Sequence, residues 1–466
     1  MTGRSAARGR TGRTATGAGL LTAAVLALSL LPAAPAAADE WRDKQYWLND
    51  YGFTEAWKIS QGEGVKVAVI DTGIDPTHPD LAGAVVGGTD VSGAGNPAGS
   101  AGLGAEPAHG TLVATLLAGR GHAAAPAGEG DTKDDAADKD KDAGPNPEGI
   151  MGVAPKAELL AVSAWIGPDN PAGIPIEDQI PAAIRWAVNN GAQVINMSLG
   201  STSTSWPQSW DDAFLYAEQQ DVVVVAAAGN RGGGMVQVGA PATIPGVLTV
   251  AGVDRQRVAS WDSSSEGISI GVAAPAENLI GGLPGGTVQY ADWSGTSGAA
   301  PLVAGTAALI RSAYPDLSAA DVINRIISTA KDAGVPGQDT LYGYGLLDAS
   351  AALAADIPPV AANPLGSIAD WIRIHRRDAS TTPASDAPVA VEPSAPELPE
   401  PTIPTALSPQ AEADVLPAAL VLGFGGLLLA VTAGGAVMVV RARRKVLENP
   451  LPDEADTGPL EHQNIS

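Results

Sequence analysis

The sequence contains no cysteine among its 466 residues. This absence excludes disulfides, thiolate metal ligands and a cysteine nucleophile, although an exported protein can fold without disulfides. Basic residues are scarce too, since 27 Lys and Arg stand against 51 Asp and Glu for a net charge of −24. A balance this acidic argues against nucleic-acid binding and indicates a soluble, acidic exterior.

Histidine is rare, and this narrows the search for a general base. The five histidines are His78, His109, His122, His375 and His462. His109 begins an apolar run that predicts a helix, which is a defined platform for an imidazole. His78 lies in a predicted turn and His122 in a Gly/Ala loop, while the last two fall in a predicted linker and tail.

One serine has the surroundings of a nucleophile. Ser297 lies among small residues at 294–301, and the apolar run 302–310 that follows predicts a helix. Helix N-termini carry unpaired N–H groups and a positive dipole, which can stabilise an oxyanion. The alternative is that Ser297 is simply the N-cap, which is the usual role of a serine before a helix.

A serine nucleophile needs a base, and the base needs an orienting carboxylate. Asp71 follows the apolar run 65–70, which is typical of a buried parallel strand. Open α/β sheets place their chemistry at the carboxyl ends of such strands. Asp71 therefore completes a candidate set with His109 and Ser297, and its alternative role is a turn or helix cap.

Three short motifs carry a resemblance to a known family. The motifs are Asp71-Thr72-Gly73-Ile74, His109-Gly110-Thr111 and Gly295-Thr296-Ser297-Gly298-Ala299-Ala300-Pro301. Their order, Asp, His, Ser, resembles that of subtilisin-like serine proteases, and the likeness extends from about residue 41 to 353. The resemblance implies a serine endopeptidase in which Ser297 is the nucleophile, His109 the base and Asp71 its orienting group, with no cofactor.

The resemblance also implies an oxyanion-hole donor. Asn230 follows the apolar run 222–228, and its side-chain amide would assist the Ser297 backbone N–H. The alternative is an ordinary turn residue after a strand. Asn196 is the rival amide, and we assign it a structural role.

Two further segments are implied to bind substrate. Ser198-Leu199-Gly200 would pair with the substrate backbone as an added strand. Ala227-Ala228-Gly229 would line the first specificity pocket. Small residues leave room there and offer no charge partner, which favours apolar or small substrate side chains.

Alternating strand and helix patterns predict an α/β fold with a parallel sheet and helices on both faces. We assign residues 65–355 to this catalytic domain and 39–64, rich in aromatics, to an N-terminal arm with one short helix and a turn. The acidic, low-complexity stretch 119–149 predicts a disordered surface insertion. Calcium binding is its alternative, but the loop-closing glycine and glutamate spacing is absent, so no metal site is predicted.

The flanking segments predict export and membrane attachment. Residues 1–38 have the basic, apolar and small-residue regions of a signal peptide. Residues 356–414 predict a Pro/Ala-rich linker, and 415–440 form an uncharged run long enough to be a transmembrane helix. Basic residues open the tail 441–466, which predicts a cytoplasmic C-terminus and an extracytoplasmic catalytic domain on the cell membrane.

This architecture resembles the mycosins, the membrane-anchored subtilases of actinobacterial type VII secretion. The resemblance implies protein or peptide substrates and a type VII secretion membrane complex as a partner, with no nucleic acid. The alternative is a structural subunit of a secretion complex in which catalysis is secondary.

Overall fold

The computed structural model describes residues 40–123, 146, 148–167 and 169–376. The chain divides into two units, 1–382 and 383–466, and every described residue belongs to the first. The predicted signal peptide, transmembrane segment 415–440 and tail 441–466 lie outside the described residues. Within the described ranges, no helix is both long and apolar enough to cross a membrane.

A seven-stranded sheet forms the centre of the fold, in the order β2-β5-β1-β6-β7-β8-β9, and all its neighbouring pairs are parallel. Its strands are β1 Lys66–Asp71, β2 Val85–Asp90, β5 Glu158–Ser163, β6 Val194–Met197, β7 Val223–Ala227, β8 Leu248–Val253 and β9 Ile270–Pro275. Two antiparallel ladders join β3 Arg120–His122 to β4 Glu148–Met151 and β10 Leu279–Gly282 to β11 Tyr290–Trp293. The central strands are mainly apolar because both faces of a parallel sheet are covered.

Helices connect and cover the strands. They are α1 Glu40–Asp43, α2 Trp47–Asp50, α3 Phe53–Ala56, α4 His109–Ala118, α5 Ile176–Asn189, α6 Asp211–Gln219, α7 Thr296–Ala313, α8 Ala319–Ser328, α9 Ala349–Ala354 and α10 Ile368–His375. Short 3₁₀ turns occupy Pro79–Leu81, Gln208–Trp210 and Arg231–Gly233. The helix α7 is almost wholly buried and packs on α4 and on strands β6 to β9, while α5 packs on α6.

The N-terminal arm differs from its prediction, because it forms the three helices α1 to α3 instead of one helix and a turn. Trp47 and Phe53 are fully buried in the core, and Trp57 Nε1 donates to Val153 O at 2.8 Å. Single-turn helices depend on tertiary burial and leave no periodic pattern in the sequence.

The ordered domain extends beyond the predicted boundary at residue 355. Helix α10 packs on α6, the Trp371 and Trp206 rings lie 4.5 Å apart, and Arg376 Nε is 2.7 Å from Asp211 Oδ2. The linker prediction is therefore wrong for residues 356–376. The helix is short and follows a proline-containing stretch, so the sequence before its Ser367 N-cap reads as linker. The rest of the predicted linker lies outside the described residues.

The structure also differs from the predicted disordered insertion 119–149 at the two ends of that stretch. Residues 120–122 and 148–149, which belong to the predicted disordered loop, are strand residues of β3 and β4. His122 accordingly lies in a strand and not in a loop. Strands this short show no alternating pattern, so the sequence could not reveal them. Residues 124–145 lie outside the described residues.

Candidate active site

Asp71 lies at the carboxyl end of β1, which pairs with β5 and β6 on its two sides. Its side chain is fully buried, and Oδ1 accepts a hydrogen bond from the Thr72 N–H at 2.7 Å. Among the described residues, Oδ2 has no hydrogen-bond partner. The carboxylate is thus held at the predicted edge of the sheet by one of its two oxygens.

His109 is the first residue of α4, and its Nδ1 lies 2.7 Å from Asp71 Oδ1. Thr72 links the two elements, since its Oγ1 accepts from the Gly110 N–H at 3.0 Å. The close approach requires glycine at position 110, where a Cβ would lie 2.2 Å from Gly73 O. Trp293 packs edge-on against the imidazole, with ring centroids 5.7 Å apart.

The imidazole of His109 has a shifted proton affinity. Burial by itself lowers the pKa of His109, but the charge of Asp71, its hydrogen bond to the ring and the charge of Glu106 act in the opposite direction. The net result is a pKa above the usual 6.5. Asp71 therefore favours the imidazolium that a general base becomes after it accepts a proton.

Ser297 is the second residue of α7, and the N-cap is Gly295. The N-cap alternative for this serine is therefore wrong. Its hydroxyl donates to Ser198 O at 3.2 Å, and Ser198 Oγ donates in return to Ser297 O at 2.7 Å. The described hydrogen bonds do not join Ser297 to His109, although such bonds often tighten only when substrate is bound.

Asn230 has one defined orientation. Its Oδ1 accepts from the Thr296 N–H at 2.9 Å and from the Thr296 hydroxyl at 3.0 Å. A backbone N–H can only donate, so this contact identifies the oxygen and directs Nδ2 elsewhere. A Cβ placed on Gly295 would lie 3.0 Å from Nδ2, which puts the amide beside the start of α7. Thr296 is a positioning residue that the sequence reasoning missed.

The two predicted substrate-binding segments leave neighbouring strands. Ser198-Leu199-Gly200 follows β6 and Ala227-Ala228-Gly229 spans the end of β7, and these strands pair with each other. Ser198 and Leu199 are buried, whereas Gly200 is exposed. Asn196 is buried in β6 and donates from Nδ2 to Ser198 Oγ at 2.9 Å, a contact that holds the first of these segments.

The sequence reasoning also missed the side chain that lies between these segments. A Cβ placed on Gly229 would be 3.1 Å from Met235 Sδ, and one placed on Gly200 would be 3.6 Å from the same sulfur. The sequence gives no signal for Met235, because it lies in a short irregular stretch with no motif.

Across the described part of the chain, no three His, Cys, Asp or Glu residues are grouped so as to hold a metal ion.

Comparisons with known proteins agree with this geometry. The model of the subtilase family matches residues 62–345. Mycosin-1 of Mycobacterium tuberculosis is 36% identical over 367 residues, which cover 67% of this chain and 74% of that protein. Subtilisin DY of Bacillus licheniformis is 38% identical over 296 residues, covering 63% and 92%.

A solved structure is similar as well. It is that of the serine protease MycP1, described as an essential component of the type VII (ESX-1) secretion system. The TM-score is 0.52 at 31% identity, over 69% of this chain and 91% of that one. The predicted subtilisin-like α/β fold with a parallel sheet is confirmed, as is the mycosin-like resemblance.

Proposed function

Because the chain belongs to the subtilase family and is a subtilisin-like serine protease, we propose that it cleaves peptide bonds through Ser297, His109 and Asp71. The observation that carries this proposal is the 2.7 Å hydrogen bond between His109 Nδ1 and a fully buried Asp71. Such a bond fixes the imidazole tautomer and leaves Nε2 as the basic atom.

The proposed reaction follows from these positions. Ser297 Oγ leaves its contact with Ser198 O, attacks the scissile carbonyl and gives its proton to His109 Nε2. The resulting imidazolium is stabilised by Asp71, and it later donates the proton to the leaving amine. Water then attacks the acyl-enzyme and gives a proton to His109 Nε2. His109 returns a proton to Ser297 Oγ as the bond between the acyl group and Ser297 breaks.

The oxyanion meets two donors in this proposal. One is the Ser297 N–H, which lies in the first turn of α7 and has no carbonyl partner within the helix. The other is Asn230 Nδ2, which Thr296 aims by holding Oδ1. A side-chain donor of this kind typically contributes about 10²–10³ in kcat.

We further propose that the protease acts with a type VII secretion complex on the outer side of the membrane, anchored through residues 415–440. The similarity to Mycosin-1 and to MycP1 supports the first part. The uncharged run followed by basic residues supports the second. A scaffold role with secondary catalysis is the competing function.

The test is labelling of the full-length chain in membranes with a fluorophosphonate probe, which reacts with activated serines. We expect the wild type and Ser294→Ala to be labelled and Ser297→Ala to be unlabelled. Ser294 is an exposed serine three residues away, so it is a matched control. A folded wild-type chain that resists the probe would favour the scaffold role.

A further inference from the structure

The space between Gly200 and Gly229, here called the cleft, is bordered by the side chain of Met235. Met235 Sδ would contact a Cβ on either glycine, at 3.6 Å and 3.1 Å. A Cβ on Gly229 would also lie 3.3 Å from Met235 Cβ. Both Cβ and Sδ of Met235 therefore lie against Gly229, and Sδ also lies within van der Waals distance of a Cβ placed on Gly200.

The backbone of Met235 is held on both sides. Its N–H donates to Asn230 O at 3.1 Å, and its carbonyl accepts from Ser265 Oγ at 2.5 Å. Ser265 in turn donates its own N–H to Gly229 O at 2.7 Å. These bonds fix the backbone of Met235 against the segment that contains Gly229, and the thioether can move relative to that segment by changing its side-chain rotamers.

We propose that Met235 is the specificity-determining residue of the first substrate pocket, where it restricts the residue before the scissile bond to small side chains such as Gly, Ala and Ser. The inference rests on the proposed function, because it assigns the cleft to substrate. A benzyl or isobutyl group would compete with the thioether for the same volume, whereas a methyl group would pack against it. Protein interiors tolerate such overlap poorly.

Glycine at position 229 is favoured by its own φ of +101° and by Ser265 Oγ, which would lie 2.9 Å from an added Cβ. At Gly200 an added Cβ would make an ordinary van der Waals contact with the sulfur at 3.6 Å. Methionine is flexible and polarizable, so it can follow the shape of a small side chain lying against it. The cleft is thus shaped by one adaptable residue instead of by a rigid wall.

The experiment compares two peptide substrates that differ only in Ala or Phe before the scissile bond. For the full-length wild type we expect kcat/KM to favour Ala by about 10-fold or more, since each methylene in such a pocket is worth roughly 10–200-fold. In Met235→Ala the ratio should move toward Phe by at least about 10-fold. Met235→Leu should keep the wild-type preference, and Met235→Val should fall between.

Val236→Ala is the matched control, because Val236 is the next residue and its side chain is 57% exposed. Active-site titration with the fluorophosphonate probe normalises every rate. The assignment of Met235 would be overturned by a wild type that hydrolyses both peptides equally well. It would also be overturned if Met235→Ala and Met235→Val react with the probe but keep the wild-type ratio of kcat/KM for the Ala and Phe peptides. Absence of titratable serine in the wild type would instead overturn the proposed function, and this inference with it.

Discussion

In the described part of the chain, two histidine–aspartate pairs have nearly the same geometry. His109 Nδ1 lies 2.7 Å from Asp71 Oδ1, and His122 Nδ1 lies 2.6 Å from Asp80 Oδ1. The imidazoles are 14% and 15% exposed, and both carboxylates are fully buried. Distance and burial alone therefore do not distinguish a proposed catalytic pair from a structural one.

The surroundings of the two carboxylates differ. Asp80 also accepts from the Tyr290 hydroxyl at 2.7 Å and from the Ile150 N–H at 3.0 Å, and so both its oxygens have partners. On His122, the second nitrogen lies 3.7 Å from Glu148 Oε2. This pair joins β3, β4, β11 and the 3₁₀ turn at Pro79–Leu81 in one hydrogen-bonded network.

By contrast, Asp71 has an oxygen without a described partner, and its histidine begins a helix at the edge of the sheet where β1 ends. When both oxygens of the carboxylate have hydrogen-bond partners, as in Asp80, the pair holds neighbouring elements of the fold together. In the proposed catalytic pair the carboxylate orients the imidazole, and His109 Nε2 is the atom that would take and return the proton.

The largest expected effect is on turnover. Asp71→Asn should lower kcat by about 10⁴-fold, because the amide would favour the wrong imidazole tautomer. Asp80→Asn should leave kcat of the folded protein within about 3-fold, since Asp80 contacts none of the reacting groups. Hydrolysis of the Ala peptide by purified full-length chains measures both. Equal losses in the two variants would mean that the pairs are not functionally distinct.

A smaller effect is expected on stability, and it concerns the hydrogen-bonded network of Asp80. Tyr290→Phe removes a donor to buried Asp80 and should cost about 1.5–3 kcal/mol, the usual value for a hydrogen bond to a charged group. For a domain of roughly 300 residues, with an unfolding entropy of about 2.1 cal/mol/K per residue, that is a fall in Tm of roughly 2–5 °C. Tyr216→Phe is the control, because its hydroxyl also bonds a side chain but is exposed. An unchanged Tm for Tyr290→Phe would show that the hydrogen bond from Tyr290 to Asp80 does not stabilise the fold.

The smallest expected effect is on pH dependence. Because the base must be neutral, kcat/KM should rise with pH through a midpoint above 6.5, the direction in which the pKa of His109 is shifted. Glu106→Gln should lower that midpoint, since the Glu106 charge helps to raise the pKa. His122→Gln should leave it unchanged, and a shift there would couple the two pairs.

Stability should follow the opposite course in the same pH window. A folded-state pKa above the unfolded value means that protonated His109 stabilises the native chain. That contribution is complete below about pH 6.5 and is lost as pH rises through the folded-state pKa.

Much of the fold could be predicted, and the errors share one cause. The strands β1, β6 and β7 and the helices α4 and α7 carry long apolar patterns, which local sequence reveals within a residue or two. The helices α1 to α3 and α10 and the strands β3 and β4 are short and depend on partners distant in the chain. The local sequence of residues 356–376 therefore predicts a linker, and only the packing of α10 shows that they belong to the domain.

By itself the sequence determined which chemical groups stand at the ends of which elements: Asp71 after a strand, His109 and Ser297 at helix starts. These are local properties, set by apolar runs and the residues that end them. Only the tertiary structure decided that Thr296 orients Asn230, that Met235 Sδ lies beside both Gly200 and Gly229, and that Asp80 meets His122. Such contacts are decided by how the elements pack, because the partners lie up to tens of residues apart and share no local pattern.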